Sequence, residues 1–520
     1  MFKKMRTTMA AVLVGLLLVT TGCGSSGGSS PTTATTGGKT ATKEGGTLNI
    51  ALSADAPKLD PSLSSSVYDR YVFQSLFDKL FDLDKNGKIV PVLVKEYNVS
   101  DDGKIYTFKL QEGVKFHDGT EFNAEAVKFN FARNMEAASP RKNELGAVKT
   151  VTVVDPLTVK IELSQAYAPF LSVLTDRAGM MVSPEAVKKS GSQEFMNQPV
   201  GTGPFMFKER VKGTTITLVK NPNYWQKGLP HLDQVVYKII TDANVSAMNM
   251  KSGQIDMTDW RFPTKEIENF SKDPNYTIIN QPAQGYVGFY LNVNKAPFDN
   301  KYIRQALDVL IDRDSIIKIV KNGAATPAHQ PFPPANFAHN KADVAPKVDV
   351  AKAKELLAKG GKPDGFSFTF KTGTTPDNQR IAEMLQNMFK QAGIDMTIEK
   401  IEFGAMLDQA SKGNFEAVAL GWSGRPDPDQ NIYDDVVTKA SLNYGGYSNP
   451  QVDKLMKDAR IELDPVKRTA IYTDAMKIVN DELPYIYFYF ENNVLGLTKK
   501  VQGFNYVSDG LIRTATISKE

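Results

Sequence analysis

Leu48, Ile50 and Leu52 alternate with polar neighbours, the period of a half-buried strand, and an irregular stretch from Asp60 to Ser66 follows. Asp102-Gly103 stands between Tyr97/Val99 and Tyr106/Phe108/Leu110. Both turn residues tolerate positive φ, so the pattern predicts a hairpin. Val151/Val153, Asp155-Pro156 and Val159/Ile161/Leu163 predict a second one. Between the two, Asn123 is placed to cap a helix carrying Val127, Phe131 and Met135 on one face. The middle of the chain is therefore expected to be α+β.

The second half has a different rhythm. Phe366, Phe368 and Phe370 alternate, then Ile381, Leu385, Met388 and Ala392 recur at helical spacing, and Gly393 supplies a stop. Ile394, Met396 and Ile398 alternate again, a helix is expected from about Phe403 to Ser411, and an apolar run covers Phe415 to Leu420. Strand, helix, strand, helix, strand predicts a parallel sheet with right-handed crossovers, so the fold class is α/β. Ligands of such sheets sit outside the carboxyl ends of the strands. That singles out the loop Gly421 to Asn431, which brings an aromatic face, a guanidinium and two carboxylates together in Trp422-Ser423-Gly424-Arg425-Pro426-Asp427-Pro428-Asp429.

The N-terminus changes the picture. Lys3, Lys4 and Arg6 precede an apolar stretch from Ala10 to Thr20, which reads as an export signal too short to span a bilayer. It ends at Thr20-Thr21-Gly22-Cys23, and Cys23 is the only cysteine in the chain, so no intrachain disulfide can form. The position resembles the lipidated cysteine of bacterial lipoproteins, although Thr20 stands where those signals usually carry Leu. Residues 24 to 46 are rich in Gly, Ser and Thr, the composition of a flexible tether. Loss of the signal with its three basic residues would take the formal charge from +4 to +1, which gives no reason to expect a nucleic-acid partner.

Catalytic and metal-binding patterns are missing. The four histidines, His117, His231, His329 and His339, are scattered, and no metal is expected. Asp427, Asp429, Asp434 and Asp435 lack the spaced oxygen ligands and central glycine of a calcium loop. The body has no thiol nucleophile, no Gly-x-Ser-x-Gly and no His-Glu-x-x-His, so a secreted hydrolase is only a distant alternative.

Further segments fall in a recurring order: Leu59-Asp60-Pro61, Val114-Lys115-Phe116-His117-Asp118-Gly119-Thr120, Gly201-Thr202-Gly203-Pro204-Phe205, Asn221-Pro222-Asn223-Tyr224-Trp225, Asn292, Pro297-Phe298 and Arg304-Gln305-Ala306-Leu307. From about Gly46 to the C-terminus the chain resembles the family-5 extracellular solute-binding proteins of ABC transporters, which include dipeptide, oligopeptide and nickel binders. The resemblance implies a periplasmic-binding-protein-like hinge fold (type II, cluster C) with an inserted α+β lobe. The expected boundaries are a signal at 1–22, a lipidated cysteine and linker at 23–45, domain I at 46–90, 199–282 and 488–520, the inserted lobe at 91–198, and domain III at 283–487.

In peptide-binding members an aspartate of the matching loop holds the ligand ammonium, which makes Asp427 the first candidate and Asp429 the second; either would otherwise cap the helix expected near Asn431. Arg425 and Arg177 are candidate carboxylate clamps, Trp422 a flat apolar wall and Met180 a soft cleft surface. The loop containing Ser66 and Tyr68 reaches the cleft in the family. By eye, Met180 stands where the nickel binder has its contacting arginine, which speaks against nickel. The expected function is capture of a short peptide and delivery to ABC permease subunits at the outer face of the membrane. The protein is expected to be a lipid-anchored monomer without cofactor. Glutathione, an opine-like sugar conjugate or an oligosaccharide are the alternative ligands.

Overall fold

The computed structural model describes residues 43–520, so the export signal, Cys23 and nearly all of the tether lie outside the described residues. Strand β1 (Thr47–Leu52) places the alternating Leu48, Ile50 and Leu52 fully inside. Helix α1 (Val67–Leu76) follows and is capped by Ser66, whose hydroxyl accepts from the Tyr68 N–H. The predicted first hairpin forms from β2 (Val94–Val99) and β3 (Ile105–Leu110), with Gly103 at positive φ in the turn. Helix α2 (Ala124–Asn134) begins where Asn123 accepts from the Ala126 N–H. The second hairpin is β4 (Val148–Asp155) with β5 (Thr158–Leu163). Phe108, Phe131, Val159 and Ile161 pack beneath these elements as a core of their own.

β1 runs parallel to β6 (Gln234–Ile239), which continues antiparallel through Thr215–Lys220 to Phe205–Val211. β7 (Tyr276–Pro282) packs with the first half, and the second core is built on β8 (Val287–Leu291), β9 (Ala325–Pro327) and the predicted parallel unit. That unit is β10 (Ser367–Thr372), α3 (Pro376–Lys390), β11 (Asp395–Lys400), α4 (Phe403–Ser411) and β12 (Ala417–Ala419), with β10 between β11 and β12 and parallel to both. On α3 the buried positions are Ile381, Ala382, Leu385 and Phe389, so Phe389 takes the inward place that the spacing gave to Met388. The expected apolar strand 415–420 shortens to three residues because its ends turn into loops.

Three helices cover the other face: α5 (Asp429–Val436), α6 (Pro450–Ile461) and α7 (Pro465–Glu482). Strand β13 (Tyr485–Thr498) then joins both halves into one twelve-stranded sheet. Residues up to Glu491 pair with β8 and β9, and from Asn492 onward the partner is β7. The transfer from one half to the other thus lies inside a continuous strand, a few residues beyond the 487/488 boundary read from sequence. Among the described residues no helix is long and apolar enough to cross a membrane.

Candidate ligand-binding site

The loop after β12 is held from several sides. Trp422 and Tyr286 exchange backbone hydrogen bonds at 2.9 and 3.0 Å. Gly424 sits at φ +74, and a Cβ there would fall 2.1 Å from the Gln284 carbonyl carbon, so only glycine lets the chain pass. Asn431 fixes the tip: its side chain accepts from the Arg425 N–H at 2.7 Å and the Trp422 indole at 3.0 Å, and donates to the Arg425 carbonyl at 2.8 Å.

The two carboxylates of this loop are already matched. Arg468 on α7 donates to both Asp427 oxygens at 2.6 Å, and Asp427 also accepts from the Asp429 N–H. Arg460 on α6 donates to both Asp429 oxygens at 3.0 and 2.8 Å and lies against the Tyr433 ring. Each ion pair is one-to-one and bidentate, the geometry that compensates a buried charge. The carboxylates that sequence reasoning offered to a ligand ammonium therefore bind the loop to the helices behind it. The cap reading holds in altered form, since α5 starts at Asp429 and Asp427 accepts the orphan N–H.

A different group of charges stands where α1, residues 141–144, the segment 172–177 after β5 and the Arg425 loop meet. A small cavity of about 10 Å³, room for about one water, is lined there by Arg70, Glu144, Asp176, Arg425, Gln430 and Asp509, among others. Arg70 donates to Asp176 at 3.0 Å, Arg177 lies 3.9 Å from the same carboxylate, and Arg425 approaches its other oxygen at 3.8 Å. Arg141 pairs with Glu144, and Arg141 and Arg177 both donate to the Ser64 carbonyl at 3.4 and 3.3 Å. Burial alone would raise the Asp176 carboxyl, but Arg70, Arg177, Arg425 and Arg141 outweigh it and hold the group far below the usual carboxylate range. Ser172 donates to Gln430 at 3.2 Å across the same seam. Gly179 approaches the Leu174 carbonyl so closely that a Cβ would lie 1.8 Å from its oxygen, which fixes the turn presenting Asp176 and Arg177.

Residues 88–443, well over half of the chain, match the model of the bacterial extracellular solute-binding proteins, family 5. The chain belongs to this family. The glutathione-binding protein GsiB of Salmonella typhi is 33% identical over 475 residues, covering 88% of this chain and 92% of that protein. Among solved structures, the ABC transporter-associated periplasmic binding protein DppA from Helicobacter pylori, in complex with the peptide STSA, superposes with a TM-score of 0.81 at 28% identity, covering 92% and 99% of the two chains. AgaA from A. tumefaciens R10, in complex with agropinic acid, gives 0.80 at 27%, covering 91% and 99%. Members of family 5 are solute-binding proteins rather than enzymes, and the α/β fold is that of the periplasmic binding proteins.

Within this family-5 chain the sequence candidates separate. Arg425 lines the junction cavity and Arg177 adjoins it through Asp176. Trp422 lies behind Arg425, 5.1 Å from its guanidinium. Met180 is buried in the first core and pairs through its backbone with Lys79, which makes it packing rather than cleft surface. Ser66 is spent as the α1 cap, and Tyr68 lies near Arg261 and Asp259, away from the cavity. Arg70, Arg141, Glu144 and Asp176 carried no local signal of their own; the adjacency of Asp176 to Arg177 was the one visible hint. His117 in the family motif is a buried tie, accepting from the Gly201 N–H and bonding the Gly203 carbonyl, and burial pushes it down to about 4. Among the described residues no cluster of His, Cys, Asp and Glu is placed to hold a metal ion.

Proposed function

We propose that this family-5 protein is the extracellular receptor of an ABC importer and captures a short peptide where its lobes meet. The observation that carries the ligand class is the junction cavity, at which guanidiniums and a carboxylate from three parts of the chain converge. A zwitterion removed from water needs both signs of charge around it, and such a surround makes closure of the lobes depend on the ligand. Attachment of the mature chain through Cys23, with the following tether, would keep the receptor close to its permease.

A second reading within the peptide class is glutathione, favoured by the excess of arginine at the junction and by the relatives named for that ligand. An opine-like conjugate is the non-peptide rival, in keeping with the agropinic acid bound by AgaA.

The test is thermal. The purified protein is unfolded and refolded to strip carried-over ligand, then melted with di- to pentapeptides, glutathione, oligosaccharides and opine-type acids. A ligand at 100 times its dissociation constant stabilises by about 2.7 kcal/mol, a readily visible rise in Tm. A shift with peptides or glutathione supports the proposal. A shift confined to sugars or sugar conjugates replaces the ligand and leaves the receptor role.

A further inference from the structure

We infer that Leu463 is a positioning residue for ligand capture. Its side chain and the Ala168–Arg460 backbone hydrogen bond form a clasp between the α6–α7 turn and the lobe built on Phe108, Phe131 and Ile161. The clasp sets how long the lobes stay together around any ligand. The inference rests on the reading of the chain as a receptor whose lobes close, and not on which ligand it takes.

That lobe is tied to the first half of the chain by buried bonds. Arg133 on α2 donates to both Asp60 oxygens, His117 bridges Gly201 and Gly203, and Arg70 meets Asp176 at 3.0 Å. It meets the second half along a narrower seam. Among the described residues the hydrogen bonds across that seam run from the Ala168 N–H to the Arg460 carbonyl at 2.9 Å and from Ser172 to Gln430 at 3.2 Å. The core beneath α5, α6 and α7, with Ile432, Val452, Met456 and Tyr472, contains no residue of the lobe. The two halves are connected through the chain at the link 282–287 between β7 and β8 and inside β13. Rotation about those strands parts the seam and leaves both cores whole.

Both sides of the seam are held in place by their own surroundings. The Arg460 side chain is pinned by Asp429 and lies against the Tyr433 ring, with the buried Tyr167 ring 5.7 Å from its guanidinium on the lobe side. Leu463 stands in the link between α6 and α7, which is braced where the Asp464 N–H donates to Glu462 at 2.8 Å and Asp464 caps α7. Its methyls sit on the Asp102-Gly103 turn: a Cβ on Gly103 would lie 2.7 and 3.3 Å from them and 3.4 Å from the Ala166 Cβ. Leu463 is 44% exposed even so and stands outside the core beneath the helices, so the burial it has depends on the lobe being against it. Groups fixed in advance lose little freedom on meeting. Gly103, Ala168, Arg460 and Leu463 do not line the junction cavity, so they act on every ligand alike.

The experiment is amide hydrogen exchange on the refolded, ligand-free protein, read at single residues. Leu463→Ala should speed exchange of the Ala168 N–H by about tenfold, in keeping with the loss of a half-buried leucine. The amides of Phe108 and Val159 in the lobe sheet should keep their wild-type rates. Leu463→Met should restore Ala168, and Val466→Ala, at a 77%-exposed position nearby, should leave it unchanged. In titrations with Ala-Ala, glutathione and agropinic acid, every probe that binds the wild type should bind Leu463→Ala about tenfold more weakly, through faster release. Unchanged exchange at Ala168 overturns the inference, as does acceleration of the lobe amides along with it, or a loss of affinity for one probe and not another. If none of the three binds the wild type, that counts against the ligand reading alone, and the exchange rates decide on the clasp.

Discussion

The loop after β12 and the arginine junction beside it are both buried, ionic and adjacent in space, yet they are organised on opposite principles. In the loop, Asp427 and Asp429 each meet one arginine through two hydrogen bonds. At the junction, the shared carboxylate Asp176 faces Arg70, Arg177 and Arg425 while guanidinium donors stay unpartnered. A balanced pair holds structure together, because removing either member strands a charge. An unbalanced cluster is held in place by its surroundings and gains from a ligand that completes it. The loop therefore serves as the frame that holds Arg425, and on the proposed reading the junction is the surface that would meet the ligand.

Substitutions should separate the two regions. Asp427→Ala strands the buried Arg468 guanidinium and should lower unfolding free energy by about 3–5 kcal/mol in urea titrations. Replacing Asp427 and Arg468 together with apolar residues of similar size should recover most of it. If Asp427→Ala leaves stability intact but abolishes ligand binding, the roles assigned to the two regions are reversed. Arg425→Ala is the converse: ligand affinity should fall by about two orders of magnitude, about 2.7 kcal/mol. Stability without ligand should hold or rise, because one of four like charges has gone.

The regions also differ in the sign of their response to pH. Arginines pull Asp176 down, whereas burial raises Asp435 on α5 to about 7, with Asp434 adding to the effect and the Tyr290 hydrogen bond opposing it. Folded Asp435 keeps a proton that the unfolded chain releases near its ordinary value of about 4, so its contribution to stability is complete at low pH and is lost as pH rises toward 7. The stability of wild type relative to Asp435→Asn should fall by up to about 1.4 kcal/mol per pH unit across that window and level off above it. A difference independent of pH between 5 and 8 would rule this out. The smallest effect is expected from Ser172→Ala, which removes the 3.2 Å hydrogen bond to Gln430 across the seam. It should cost about 0.5–1.5 kcal/mol, and the cost should appear as weaker ligand binding if the bond forms on closure.

Much of the fold was legible because local periodicity states which side of an element is buried. Leu48/Ile50/Leu52, the Asp102-Gly103 hairpin and the Asn123 cap formed as their spacing required, and the strand–helix–strand rhythm from Phe366 to Leu420 formed with Phe389 in place of Met388 and a shorter last strand. The site was legible only in outline. The loop containing Arg425 was singled out as a candidate from its place at a strand end, whereas the packing of Met180 and the ion pair of Asp427 with Arg468 had no mark in the neighbouring sequence.

By itself the sequence determined the elements, the α/β class and, through its ordered motifs, the resemblance to family 5. Which charge meets which was decided by tertiary structure. Asp427 finds Arg468 across 41 positions, and Asp176 finds Arg70 across 106. Burial is signalled by the few residues around a position, but an ion pair depends on distance through space, and only the packed sheet and helices set that distance.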